Sequence, residues 1–230
     1  LTNITRLNTK DKKFIRNLLT FIKKNVHTLN LDFRICVISS VVNLLKKEAI
    51  KEINSYDFKT LNINLKNIPK KIRFNYSNYQ LGADRIANSF AAFNKYGNNS
   101  IVIDFGTATT FDVIKKGIYE GGIIAPGINV SHDALIKNAS KLRKISIKKI
   151  QSVVGNNTTK SMQSGFYWGY TSLINGIIEK IILDKKFKPK IILTGGLANT
   201  FRKEIKLSSY YEPHLTLEGL YHIGLIKYVK

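Results

Sequence analysis

Hydrophobic positions along the chain follow two rhythms. Over residues 10–25, Phe14, Leu18, Leu19, Phe21 and Ile22 recur near the 3.6-residue period of a helix that buries one face. Arg34–Ser40 is an apolar run of strand length, and Ser40 or Asn43 is placed to cap a helix running to about Asn54. Lys59–Ile63 and Ile72–Tyr76 read as strands on either side of a polar stretch that contains Pro69. Ala83–Tyr96 returns to the helical period, with Ile86, Phe90 and Phe93 on one face, and Gly97-Asn-Asn99 is a turn signal. Three short strands then follow as a meander: Ile101–Asp104, Thr109–Lys115 and Tyr119–Ile124, broken at Gly106 and Gly117. Helices are predicted at about 131–142 and 161–183, a final strand at Lys190–Leu193, and a last helix from about Thr216.

Helices alternate with strands in the first half, and a meander followed by helix, helix, strand and helix fills the second. This pattern predicts two α/β domains, residues 1–97 and 98–230. The chain's 230 residues, 43% of them apolar, suffice for two such cores. No apolar run approaches the roughly 18–20 residues that span a bilayer, so no membrane partner is expected. The first residues are polar and lack the apolar segment of a signal peptide. The single cysteine, Cys36, excludes an intrachain disulfide and suits a cytoplasmic location; in its apolar run it reads as a small buried group. The net charge of +22 would by itself suggest nucleic acid. The lysines are scattered among Asn, Ile and Tyr, however, and read as solvated surface, so nucleic acid is not an expected partner. A general positive field still favours an anionic ligand.

Candidate chemistry concentrates in three places. In Asp104-Phe-Gly-Thr-Ala-Thr-Thr110 a carboxylate ends a buried strand, and Gly106 permits a tight turn. Thr107, Thr109 and Thr110 offer hydroxyls and N–H groups toward that turn. Such a loop cradles a phosphate while the acid holds a cation; the plain alternative is a hairpin turn with solvated threonines. The spacing matches neither the Gly-x-x-x-x-Gly-Lys phosphate loop nor a Gly-x-Gly-x-x-Gly fingerprint. In Ile191-Ile-Leu-Thr-Gly-Gly-Leu197 a buried strand ends in Thr194-Gly195-Gly196, where missing side chains leave room for a flat ligand, or simply for a turn. In Gly82-Ala-Asp-Arg85, Asp84 sits at a helix start, where the dipole favours an anion whether its role is structural or chemical.

Taken in order, Gly82–Arg85, Asp104–Thr110, Gly121-Gly-Ile-Ile-Ala-Pro-Gly127, Asn157-Thr158, Met162-Gln-Ser-Gly165, Thr194–Gly196 and Leu215-Thr-Leu-Glu-Gly-Leu220 closely resemble the type III pantothenate kinases. Ser39-Ser-Val-Val42 fits an earlier segment of that family, so the resemblance covers nearly the whole chain. It implies two ribonuclease-H-like domains of the actin-like ATPase type, with mixed sheets flanked by helices. It also implies transfer of the γ-phosphate of ATP to pantothenate, giving 4'-phosphopantothenate, the first step of coenzyme A biosynthesis. By resemblance Asp84 is the general base for the pantothenate hydroxyl, and Gly82, Ala83 and Arg85 complete that substrate turn. Thr158 contacts pantothenate. Thr107, with Gly106, Thr194, Gly195 and Gly196, binds ATP. Asp104 is the ligand of a monovalent cation, K⁺ or NH₄⁺, and Mg²⁺ accompanies ATP. The 121–127 stretch shapes the substrate pocket.

The chain departs from the family pattern in places. Phe74 and Tyr76 compete for the place of a substrate tyrosine, and Tyr76 is preferred because it keeps a hydroxyl. The family's opening strand, Asp-x-Gly-Asn-Thr turn and second strand have no counterpart here, and a chain without them is expected to have little or no kinase activity. Gly165, Gly169 and Gly176 lie in one predicted helix, where each costs about 1 kcal/mol against Ala. A close helix crossing would offset that, either within one subunit or, as the resemblance to a homodimeric family implies, across a two-fold axis. Tyr167, Trp168 and Tyr170 read as core or interface. Two alternatives remain: a non-catalytic relative acting as an accessory transcription factor, and a kinase of the same superfamily acting on a sugar or acid.

Overall fold

A computed structural model describes residues 3–7, 11–26, 35–39, 43–76 and 80–228, without the side chains of 43–46. In chain order its elements are α1 (Phe14–Val26), β1 (Ile35–Ile38), α2 (Asn43–Asn54), β2 (Lys59–Asn62), β3 (Arg73–Phe74), α3 (Ala83–Tyr96), β4 (Ser100–Phe105), β5 (Ala108–Lys115), β6 (Ile118–Pro126), α4 (Ile128–Asn138), α5 (Thr158–Lys185), β7 (Lys190–Gly195), α6 (Ala198–Phe201), β8 (Ser209–Tyr211) and α7 (Leu215–Tyr228). Two compact units emerge. One comprises Leu1–Lys70, Ser77–Ala87 and Thr216–Lys230; the other comprises Lys71–Tyr76 and Asn88–Leu215. Their chain segments interleave, and the division falls within α3 and at the start of α7.

In the first unit β1 and β2 pair in parallel, with Ile35 opposite Lys59 and Ile38 opposite Asn62. A parallel pair needs a crossover, and α2 supplies it. Two glycines of α7 mark close approaches: a Cβ on Gly219 would strike the backbone of Ala87, and one on Gly224 would lie 2.7 Å from Val37 Cγ2. Cys36 is half-buried, and burial pushes its thiol up to about 11, which leaves it protonated and unreactive near neutral pH, as expected of a packing residue. Arg34, Ser40, Val41 and Val42 lie outside the described residues, so the Ser-Val-Val segment and the proposed Ser40 cap do as well; Asn43 is the first residue of α2.

The second unit is built on a six-stranded sheet of order β3-β6-β5-β4-β7-β8. The predicted meander appears as β4, β5 and β6, each antiparallel to the next. β7 then runs parallel to β4, and β8 parallel to β7. A three-strand meander followed by two parallel strands beside its first is the ribonuclease-H-like order, here with β3 added at the β6 edge. The sheet is mixed, as expected. Its period of two splits the side chains between faces. Ile101, Ile103, Phe105, Phe111, Ile191 and Leu193 pack with Tyr167, Tyr170, Ile174 and Ile178 of α5 into one buried cluster. By register the other face carries Val102, Asp104, Thr110, Asp112, Ile192 and Thr194.

Some boundaries differ from expectation. Lys190–Leu193 is not the last strand, because β8 follows it; Ser209–Tyr211 is a three-residue edge strand with little burial, too short for a period to show. α4 begins at Ile128 rather than near 131 and ends at Asn138. β3 is two residues long, because only Arg73 and Phe74 meet β6.

Candidate active site

Asp104 sits one residue before the end of β4, opposite Thr110 of β5 and Thr194 of β7. Residues in register across neighbouring strands share a face, so these three side chains form a row across the sheet. Asp104 is half-buried, and the Asn88 amide of α3 donates to its Oδ2 at 2.9 Å. Its Oδ1 faces Gly195. There φ is +89°, and a Cβ would lie 2.5 Å from Oδ1 and 2.6 Å from the Phe105 backbone nitrogen. Glycine is therefore required at 195 on two independent grounds, conformation and space. Gly196 differs: a Cβ there would meet nothing within 4 Å, so its α-carbon borders open space. The sequence motifs around Asp104 and Thr194 thus converge at the ends of two adjacent strands.

The turn after β4 is held by Gly106 N–H donating to Ala108 O at 3.1 Å, and Gly106 and Thr107 are exposed. It packs on Gly127: a Cβ at 127 would fall inside the Thr107 carbonyl and 2.8 Å from Gly106 O. Gly127 therefore shapes the turn. Thr110 Oγ1 is buried and has no hydrogen-bond partner among the described residues. Thr109 does not face the turn, contrary to expectation. The period of two places it with Phe105 on the α5 face, where its hydroxyl lies 2.5 Å from Tyr170 OH. The donors on the Asp104 side, a carboxylate with threonine hydroxyls beside it, are hard oxygens of the kind that suit a monovalent cation or a cation–phosphate pair. Among the described residues no group of three or more His, Cys, Asp or Glu could hold a metal ion.

In the first unit, Gly82 opens α3 by accepting the Ile86 N–H at 3.1 Å. Asp84 is exposed in the first turn, and its Oδ1 accepts the Arg85 N–H at 2.9 Å. A Cβ on Gly82 would lie 2.5 Å from that same oxygen, so the missing side chain is what lets the carboxylate fold back. Ala83 and Arg85 are buried.

Thr158 is the first residue of α5, whose N-cap Asn157 accepts the Lys160 N–H at 3.0 Å. It lines an open groove of about 860 Å³ with Asn157, Met162, Gly165 and Phe166. Phe74 and Tyr76 both pack on Tyr119, with ring centroids 5.1 and 6.0 Å away. Tyr76 is the more exposed of the two. The 195–206 segment is fastened to α5 through Glu204. Its carboxylate accepts from Lys149 at 2.7 Å and from Tyr167 OH at 3.1 Å, and its backbone carbonyl accepts from Asn175 at 2.9 Å. The Lys149 hydrogen bond outweighs burial and holds Glu204 below the usual glutamate range. Burial, then Glu204, pushes Tyr167 up to about 12. Tyr167 and Tyr170 are core residues, and the Lys149 ammonium lies 5.4 Å from the Trp168 ring centroid. At Gly165, Gly169 and Gly176 a Cβ would meet nothing within 4 Å, so close packing within the subunit does not account for them among the described residues.

Asn88, the partner of Asp104, was not singled out from sequence. Its signal was faint: a polar residue within the apolar stretch of α3, four after Asp84.

A family model for type III pantothenate kinase matches residues 1–180. Curated type III pantothenate kinases are similar in sequence. That of Persephonella marina is 44% identical over 191 residues, covering 82% of this chain and 74% of its own. That of Pelagibacter ubique is 42% identical over 181 residues, covering 79% and 70%. That of Koribacter versatilis is 49% identical over 142 residues, covering 61% and 52%. The chain thus spans between about half and three quarters of these relatives' lengths. A crystal structure from Campylobacter jejuni, described as a conserved Baf family transcriptional activator, aligns with TM-score 0.54 at 22% identity over 86% of each chain, a likeness that shows the fold alone. No helix among the described residues is long and apolar enough to cross a membrane. With the family model matching well over half its length and relatives above 40% identity, the chain belongs to the type III pantothenate kinases, a family of ATP-using phosphotransferases.

Proposed function

We propose that this chain carries the pantothenate kinase activity of its family, moving the γ-phosphate of ATP to the primary hydroxyl of pantothenate in the cytoplasm. The observation that supports this most is Gly195 pressed against Asp104 beside the Gly106–Thr107 turn. It brings a carboxylate, an exposed turn and an open glycine, Gly196, together at the ends of the adjacent strands β4 and β7.

In this reading Asp104 holds K⁺ or NH₄⁺, with Thr110 and Thr194 beside it. Thr107 and the Gly106 backbone take ATP phosphate, and Thr194-Gly195-Gly196 seats adenosine. Mg²⁺ bound to ATP would supply neutralisation of the phosphate charge, and the protein's own part is positioning and electrostatics. Asp84 accepts the proton of the pantothenate hydroxyl. Gly82 gives the carboxylate room, Ala83 continues the turn, and Arg85, Thr158 and Tyr76 contact pantothenate. We read the architecture behind this activity as two ribonuclease-H-like halves, with most of residues 1–97 in one and most of 98–230 in the other. The chain acts as a homodimer, which accounts for the bare glycine face of α5 along Gly165, Gly169 and Gly176. Retention of Asp84, Asp104 and Thr107 favours the kinase over a non-catalytic regulator.

The test is a coupled ADP-release assay with ATP, Mg²⁺, K⁺ and pantothenate, on residues 1–230 and on a chain extended upstream. Pantothenate-dependent turnover is expected in the extended chain, and Asp84→Asn abolishes it there. If neither chain turns over and neither binds pantothenate or ATP, the kinase reading fails.

A further inference from the structure

The buried hydroxyl of Tyr170 has no part in the chemistry proposed above, yet it touches β5, the strand that leaves the phosphate turn, and the end of β6, its neighbour. It donates to Pro126 O at 2.8 Å and lies 2.5 Å from Thr109 Oγ1. A phenol has one proton, and Pro126 O can only accept, so the Tyr170 proton goes there and Thr109 donates to the phenol oxygen. Burial raises the Tyr170 pKa, which keeps that proton in place. Thr109 lies two residues after Thr107 on β5. Pro126 ends β6 opposite Ala108 and precedes Gly127, the residue on which the Gly106 and Thr107 carbonyls rest. One oxygen on α5 therefore fixes the downstream strand of the turn and the floor beneath it. The ring is independently held against Phe201, with centroids 5.6 Å apart, so the hydroxyl works from an anchored position.

We propose that Tyr170 is a positioning residue for the Gly106–Thr107 turn, setting its geometry for ATP phosphate without touching ATP. This rests on the reading of that turn as a phosphate cradle. A phenylalanine ring would fill the same space without the hydroxyl's bonds to Thr109 and Pro126. Its loss would free the Thr109 hydroxyl and the Pro126 carbonyl to move apart.

The test compares the native chain with Tyr170→Phe and, in case that variant does not fold, Thr109→Val. Hydrogen exchange of peptides across the sheet, including those covering 105–110 and 125–128, is followed without ligand, and ATP and pantothenate dissociation constants are measured by titration calorimetry. Faster exchange confined to 105–110 and 125–128 is expected, with ATP binding weakened about tenfold, as befits one net hydrogen bond, and pantothenate binding unchanged. Native exchange rates in the turn, or an unchanged ATP constant, overturn the assignment. A uniform rise in exchange across the sheet, with both ligands weakened alike, marks a merely structural role and also overturns it. If the native chain binds no ATP, the phosphate-cradle reading fails and this assignment fails with it. The exchange data, taken without ligand, tell that failure apart from a turn that never depended on Tyr170.

Discussion

Gly195 and Gly196 are adjacent and chemically identical, yet the structure assigns alanine opposite consequences at the two positions. At 195 the backbone sits at φ +89°, and a Cβ would lie 2.5 Å from Asp104 Oδ1, 2.6 Å from Phe105 N and 2.8 Å from Phe105 C. Holding an L-residue in that region costs roughly 1–2 kcal/mol. Two of the three close atoms are backbone of the paired strand and cannot swing aside, so overpacking adds about 1–3 kcal/mol. Gly195→Ala should therefore lose about 2–5 kcal/mol in total. At roughly 2–4 °C per kcal/mol for a domain of this size, the melting midpoint drops by between about 4 and 20 °C. At 196 φ is not positive and a Cβ meets nothing within 4 Å, so Gly196→Ala should stay within about 0.5 kcal/mol of native. Its effect should appear in ATP binding, because the new methyl enters the space proposed for adenosine. Thermal melts and ATP titration on both variants make the comparison. Equal midpoints for the two variants would refute the close approach of β7 to Asp104, and with it the argument that this strand end is shaped around the carboxylate.

Four further outcomes are expected. Gly82→Ala places a methyl against Asp84 Oδ1, the end of a flexible side chain, so turnover should fall while the midpoint moves little; unchanged kcat counts against Asp84 needing its folded-back position. Asn88→Ala removes a donor from Asp104 and should cost about 1–3 kcal/mol while raising the K⁺ concentration for half-activation; an unchanged K⁺ response leaves Asn88 purely structural. Lys149 holds Glu204 ionised below its ordinary range, so that pair stabilises the fold above the unfolded glutamate pKa of about 4.3, and the contribution is lost as pH falls through the lower folded value. Melting midpoints of the native chain should accordingly fall more steeply than those of Glu204→Gln on acidification below about pH 5, and parallel curves would remove the pair from the ledger of acid stability. Gly169→Leu should convert a dimer to a monomer in sedimentation equilibrium without lowering the secondary-structure signal, and an unchanged mass would clear that face of α5 of any role in association.

The meander, the long helix at 158–185 and the helix at 83–96 were legible from sequence, because burial imposes periods of 2 and 3.6 that survive any tertiary arrangement. Order and spacing of short motifs likewise sufficed to indicate the family. What sequence could not supply was adjacency between residues far apart in the chain. Asp104 and Thr194 become neighbours only because β7 pairs in parallel with β4, and that register makes Gly195 obligatory while leaving Gly196 free, although Gly-Gly reads as one signal. Thr107, Thr109 and Thr110 look alike in sequence; strand pairing sends Thr109 to Tyr170 and Thr110 to the Asp104 row. Gly127 and Asn88 matter through contacts 20 and 16 residues distant, which no local period encodes. The sequence by itself thus determined which segments are helix and strand and which residue types are available for phosphate and cation chemistry. Which of those residues meet was decided by tertiary structure, because inter-strand register and close backbone approach depend on the whole sheet and not on any one stretch of chain.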